Sequence, residues 1–492
     1  MKNPTRQIEC RRLSETHWQR GIVAAMCLGL GILDCPGAAP ELLPLRPGTE
    51  LFVDDLRLER RENVTRRIHP ARKLDQPVLR GDNGKPARIY GTTWRDPESG
   101  LFHMWYGRSY ATSKDGLHWE KPRLDVYPLR GKPSNIVLPK GGGGVLVDHL
   151  EPDPNKRFKA LLAEPIHTGG FSGYHSADGI HWTRYGEDRL LTVGSEVGQI
   201  MRDPATQKYF AFIRPYPPKY FPRSMREKRL GAVLTSDDFV NWSEMRVVLA
   251  PDRLDDAWVR APEQRTEFYA MNGFAYGNSY LGIIPVFRIE RIIDKTTPDQ
   301  SRYDGPMEGQ LITSRDGQNW QRGGDRSPVL PSGAGFDRSI MNVAMAPLIV
   351  EDEIWHYYTA INGTHGAPSP PKSITIALAR WRLDGYVSLD AGSAPAVVQT
   401  TLLDTNGARS LEVNADASRG RLVVEILDGQ GEPVPGYTAA DCEVIRGDSP
   451  RHAARWSGEN KLPDIEEIRL RFLFSECSLF SYTLQPIGWA PR

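Results

Sequence analysis

The chain has 492 residues, with 62 Lys+Arg against 61 Asp+Glu and a formal net charge of +1. That is room for one large β domain with an appendage. So even a balance gives no global field toward nucleic acid or an anionic membrane surface, and no long run of like charge forms a binding arm. The 46 Gly and 39 Pro are spread along the chain, which suits many short strands joined by tight turns rather than disorder.

The N-terminus has the pattern of an export signal. Lys2, Arg6, Arg11, Arg12 and Arg20 precede the apolar stretch 21–33, and small residues follow at Gly37, Ala38 and Ala39. Thirteen apolar residues fall short of the roughly 20 that a spanning helix needs. Residues 1–39 are therefore expected to be a cleaved signal peptide, placing the mature protein in the periplasm or outside the cell, with no other membrane attachment. Of five cysteines, Cys10, Cys27 and Cys35 lie in or beside this segment. Cys442 and Cys477 remain, either as a disulfide or as two buried thiols. No Cys/His cluster has zinc spacing, and no metal or cofactor is expected.

A short motif recurs after this. Ser113, Asp115, Gly116 and Trp119 return as Ser176, Asp178, Gly179 and Trp182, as Ser236, Asp238 and Trp242, and as Ser314, Asp316, Gly317 and Trp320. The Trp-to-Trp intervals are 63, 60 and 78 residues, and a worn fifth copy stands at Leu383, Asp384 and Gly385. An Asp carboxylate can accept from the backbone N–H groups that follow it, and Gly takes positive φ at no steric cost, so the motif describes a turn. Carboxylates repeated in every copy are architecture rather than catalysis. Each copy is preceded by a second turn, as at 96–100, 152–156, 203–207, 276–279 and 351–353, and by an aromatic or β-branched strand leaving it.

Five such units of four strands predict an all-β protein, a five-bladed β-propeller over 50–392. The segment 51–55 is expected to supply the closing strand of blade five and so remove a free sheet edge. From 393 to 492 the repeat stops, and alternating strands at 410–415, 422–427 and 468–474 predict a C-terminal β-sandwich.

Several of these segments resemble a known group. Leu51 to Asp55, Arg66 to Pro70, the Ser113 turn, Thr266 to Tyr269 and Arg380 to Gly392 are similar to exported bacterial proteins of the glycoside hydrolase family 32-like type. The similarity continues through Asn414 to Asp416 and Asp441 to Asp448. It implies the five-bladed fold of the family 32 and family 43 hydrolases and action on furanosides or other glycans. The Asn-Asp-Pro-Asn-Gly string of the fructan-cleaving members is absent. Arg95-Asp96-Pro97 and Arg202-Asp203-Pro204 match a family motif as text, but they end strands rather than begin them. They are expected in hairpin turns on the face away from the pocket.

Candidate site residues follow from position. Inner-strand starts and second-strand ends share one face of a propeller, and a carboxylate found in a single blade is a better functional candidate than a repeated one. Glycoside cleavage needs one carboxyl to protonate the leaving oxygen and a second as nucleophile or base, about 5–5.5 Å away for retention or about 6.5–9.5 Å for inversion. Glu267 is the expected acid, desolvated by Phe268 and Tyr269, with Asp337 as its partner and Glu196 third. Glu267→Gln is expected to leave the melting temperature nearly unchanged. Arg88, Tyr90, Arg108, Arg214 and His365 are the expected substrate-binding residues. The expected function is a glycoside hydrolase acting on a poly- or oligosaccharide in the axial pocket. The alternatives are a glycan-binding propeller without catalysis and a phosphorylase whose phosphate cradle includes Arg108, Arg214 and Arg288.

Overall fold

The computed structural model describes residues 48–141, 143–164, 170–193, 198–215, 228–297 and 300–486. The expected signal peptide and Glu196 lie outside the described residues. Among the described residues there is no α-helix, and no helix is long and apolar enough to cross a membrane.

These residues form five radial antiparallel sheets. Blade one is Thr93–Arg95, Phe102–Tyr106 and Ser109–Ser113, and its fourth strand is reduced to a bridge between Thr112 and Glu120. Blade two runs Gly144–Val147, Phe158–Ala163, Phe171–Ser176 and Thr183–Arg184; blade three runs Gly198–Arg202, Tyr209–Ile213, Gly231–Ser236 and Arg246–Leu249. Blade four runs Arg265–Phe268, Ser279–Ile289, Met307–Ser314 and Trp320–Arg322. Blade five has Ser339–Val343, Glu353–Ile361 and Ile374–Arg382, closed by Arg72–Lys73 and Leu79–Arg80 from the other end of the propeller. Closure therefore occurs, but through residues 72–80. The segment expected to close the ring, 51–55, sits elsewhere: Gly48–Leu51 pairs with Cys477–Pro486 of the C-terminal sheet.

The repeated turns lie at the lower face, where each third strand ends. Ser113 Oγ donates to Asp115 Oδ1 (3.0 Å), and Asp115 Oδ1 accepts from the N–H groups of Leu117 and His118 (2.8 Å each). The same bonds recur at Asp178, Asp238 and Asp316. At Asp238 the N–H of Asn241 is the first of several donors that pull the carboxyl down to about 2. Trp119, Trp242 and Trp320 each donate their indole N–H to the carbonyl three residues earlier. Trp182 does not: its indole N–H meets no acceptor among the described residues, and the Gly179 carbonyl accepts from Trp105 of blade one at 2.8 Å.

That exception shows why glycine belongs in the turn. The aromatic second strand of one blade packs on the turn of the next. A Cβ on Gly179 (φ +72°) would meet the Trp105 ring at 2.6 Å. In blade three the position is Phe239, at φ +67°, and the residue of the preceding blade that corresponds in register to Trp105 is Leu161, which shares a buried cluster with Phe239.

The remaining strands make the C-terminal sandwich. Its longest strand, Ala408–Leu427, pairs through its first half with Cys477–Pro486 and through its second half with Glu467–Ser475. Leu411, Val413, Leu422 and Val424, from both halves, share one buried core, so the sheet folds over on itself. Leu58–Glu62 and Val64–Ile68 join this sheet too. Cys442 and Cys477 are buried free thiols.

The worn fifth turn is the joint between propeller and sandwich. Asp384, at the end of blade five, accepts from Tyr276 Oη of blade four (2.8 Å) and from Ser481 Oγ of the sandwich (2.7 Å). Arg315 adds a second tie, bonding both Asp54 and Glu50.

Candidate functional site

The upper face carries the inner-strand starts and second-strand ends, and the pairings place them side by side: Gly198 with Ile213, Arg265 with Ile289, Ser339 with Ile361. In blade four the inner strand is interrupted after Phe268 and resumes at Phe274–Tyr276. The break is held by Asn272, whose Oδ1 accepts from the Ile283 N–H at 2.8 Å while its amide donates to the Ala344 carbonyl.

Strand alternation sorts the residues above the break. Thr266 and Phe268 face one way, with Phe268 in the core between blades three and four. Arg265, Glu267 and Tyr269 face the other way. Glu267 is 1% exposed, and each of its oxygens is engaged. Oε2 accepts from Arg229 Nη1 at 2.5 Å and Oε1 from Arg265 Nε at 2.7 Å. Phe268 thus does not surround the Glu267 carboxyl as expected. Two guanidiniums do.

Three further blades reach this point. Arg214, at the end of blade three's second strand, donates to the Tyr269 carbonyl at 3.1 Å and lies 5.3 Å over its ring. His365, in the loop after blade five's second strand, has Nδ1 3.1 Å from the Tyr303 carbonyl and Nε2 3.3 Å from Tyr269 Oη. A carbonyl can only accept, so Nδ1 carries the proton and Nε2 accepts from the tyrosine hydroxyl. Burial first, and then the Arg229 charge, push the imidazole down to about 3, so it is neutral at ordinary pH. Tyr90, from the approach to blade one, packs on the same apolar cluster as Tyr269 and Met341.

The other expected residues are placed differently. Asp337 accepts from Lys73 Nζ at 2.6 Å and from Tyr358 Oη at 3.3 Å. Lys73 belongs to the outermost strand of blade five, so the carboxyl is drawn outward along the blade. Among the described residues Glu267 and Asp337 share no bonding partner. Arg108 is exposed on the turn of blade one, donates to the Leu138 carbonyl and lies over Tyr127, outside the cluster. Arg88 is half-buried. Arg288 is exposed and pairs with Glu308 at 3.5 Å. The Arg-Asp-Pro strings lie in lower hairpins, where Asp96 and Asp203 are used by their own turns. Beside Asp203 on that face is a cavity of about 260 Å³ bordered by Tyr280 and Ser279.

Arg229, Arg265 and Tyr303 are the residues that sequence reasoning did not select. Arg265 was within reach of it, two positions before Glu267 and so on the same face of a strand. Arg229 and Tyr303 arrive by long-range contacts that carry no local signal. No group of three or more His, Cys, Asp or Glu among the described residues is arranged to hold a metal.

No family model matches this chain, and no curated protein matches it. Solved structures do align with it. One is an N-acetylgalactosamine deacetylase from F. plautii in complex with blood group B trisaccharide, at 14% identity over 66% of this chain and 97% of that chain, TM-score 0.40. Another is the Bombyx mori GH32 beta-fructofuranosidase, at 10% identity over 85% and 94%, TM-score 0.39. A GH43 beta 1,3 galactosidase aligns at 11% identity over 73% and 71%, TM-score 0.37. The five-bladed arrangement itself stands on the strand pairings of this chain.

Proposed function

We propose that this protein is a glycoside hydrolase acting on a poly- or oligosaccharide, with the substrate bound at the upper mouth of the propeller axis beside Glu267. The observation that carries the reading is the convergence of Arg214, Arg229, Glu267, Tyr269 and His365 from three blades onto one face. None of them belongs to the repeated turn. Hydrogen-bonding groups gathered from several blades at one place are what the hydroxyls of a sugar require.

Hydrolysis needs a proton donor and a second carboxyl. With both oxygens accepting from guanidiniums, Glu267 suits the charged role of base or nucleophile better than that of acid. The acid then comes from another position, and Glu196, ahead of the inner strand of blade three, and Asp337 are the carboxyls to test. The basic, apolar N-terminal pattern supports export, which mass spectrometry of the mature N-terminus would check: a new terminus at about residues 38–41 is expected, and an intact Met1 refutes it.

Digestion of a panel of neutral and acidic polysaccharides by the purified protein, with products separated by chromatography, tests the activity. At least one is expected to yield oligosaccharides, and Glu267→Gln to lower the rate by about 100-fold or more. Full activity in Glu267→Gln removes the residue from catalysis. The engagement of both Glu267 and Asp337 in ion pairs favours, as a second reading, a propeller that binds glycan without cleaving it. Saturable binding with no product from any substrate would establish that reading instead.

A further inference from the structure

We infer that Arg229 and Arg265 form a subsite for the anionic group of an acidic glycan, a uronate carboxylate or a sulfate ester. This rests on the reading of the upper axial mouth as a glycan site and adds the substrate's charge to it.

The first ground is stoichiometry. Two guanidiniums share one carboxylate, Glu267, and use one nitrogen each on it, Nη1 of Arg229 and Nε of Arg265. A guanidinium carries five N–H donors, so most of the donors of the pair are left over. Arg265 Nη2 is buried and meets no acceptor among the described residues. One positive charge of the pair is likewise uncompensated by Glu267.

The second ground is orientation. Tyr303 lies against both guanidiniums, 5.5 Å from Arg229 and 4.9 Å from Arg265, and Phe287 lies 5.7 Å from Arg229. Aromatic rings cover the faces of the cations, so the edges are what remain to bind a ligand. Guanidinium edges match the paired oxygens of a carboxylate or sulfate. The rings and Glu267 fix this geometry before any ligand arrives.

The third ground is access. The side chains of Arg229 and Arg265 stay 17% and 13% exposed, against 1% for Glu267. The two cations are thus more open to a ligand's charged group than Glu267 is. A sugar hydroxyl can accept from them as well, but it leaves the surplus charge in a poorly solvated place. An anion removes it. The field at His365 has the matching sign: Arg229, Lys372 and Arg214 all oppose its protonation.

The test is calorimetric binding to the full-length protein of matched ligand pairs: oligogalacturonides against the same oligomers carboxyl-reduced, and sulfated galactan oligosaccharides against their desulfated forms. One acidic member is expected to bind at least about tenfold more tightly than its neutral twin, with a preference that shrinks as salt is raised. Arg265→Gln should bring the ratio toward one by weakening the acidic member more than its neutral twin. If that variant does not fold, Arg265→Lys keeps the charge but loses the fork and should lower the ratio. Equal or tighter binding of the neutral twins overturns the inference and leaves the glycan reading standing. No binding of any pair member overturns both. Turnover that consumes inorganic phosphate would assign the arginines to phosphorolysis and overturn it too.

Discussion

Replacing Glu267 by Gln keeps the shape of the side chain and removes its charge. The buried carboxyl accepts at 2.5 Å from Arg229 and 2.7 Å from Arg265. A Gln offers one acceptor oxygen and one NH₂ donor, so one of the two guanidiniums must face a donor. Removing one partner of a fully buried ion pair costs about 3–5 kcal/mol. Here the two arginines keep 17% and 13% of their side chains exposed, which lets water recover part of the loss. The expected destabilisation is therefore about 2–3 kcal/mol, below the fully buried range. An unfolding entropy of about 2.1 cal/mol/K per residue makes 1 kcal/mol worth about 1 °C in a chain of this size, so the melting temperature should fall by about 2–3 °C. This reverses the sequence expectation of an unchanged melting temperature, because that expectation treated Glu267 as a lone carboxyl. Urea and thermal melts of Glu267→Gln measure it, with Glu263→Gln, an exposed position four residues earlier, as the control expected to stay within about 0.5 kcal/mol. A loss no larger than the control's would show that the clamp contributes nothing and would refute the reasoning.

Stability should fall as pH drops below about 6.5. His365 and His356 are pushed down to about 3 and about 4, in both cases first by burial, so the unfolded chain binds protons that the folded one does not. Each such histidine removes about 1.4 kcal/mol per pH unit between its unfolded and folded pKa. His356→Gln should flatten the slope measured between pH 6.5 and 4, and an unchanged slope would exclude its contribution. Trp105→Phe loses the indole bond to the Gly179 carbonyl, worth about 0.5–1.5 kcal/mol, but frees that carbonyl for Trp182. Denaturant melts should show Trp105→Phe/Trp182→Phe costing more than the sum of the single changes, and strict additivity would rule the exchange out. Burial pushes the Cys477 thiol up to about 12 and raises Cys442 as well, so neither should be alkylated in the folded protein and both should react on unfolding. Rapid labelling of either under native conditions contradicts their placement.

The blade count, the turn chemistry and the lower-face placement of the Arg-Asp-Pro strings were legible in the sequence. They follow from local causes repeated in every blade: an Asp bonding the next N–H groups, a Gly where the chain needs positive φ, and alternation along short strands. The same local logic identified Glu267 as exceptional, since no other blade repeats it. What it is bonded to came only from tertiary structure. Arg229 reaches Glu267 from 38 residues away, at the top of another blade. Asp337 is drawn outward by Lys73, 264 residues distant in sequence. Ring closure shows the same division. That a strand must cover the last edge follows from the cost of unpaired backbone. Which strand does so was decided by competition. Residues 48–51 found partners in the C-terminal sheet, and that left 72–80 to close the propeller.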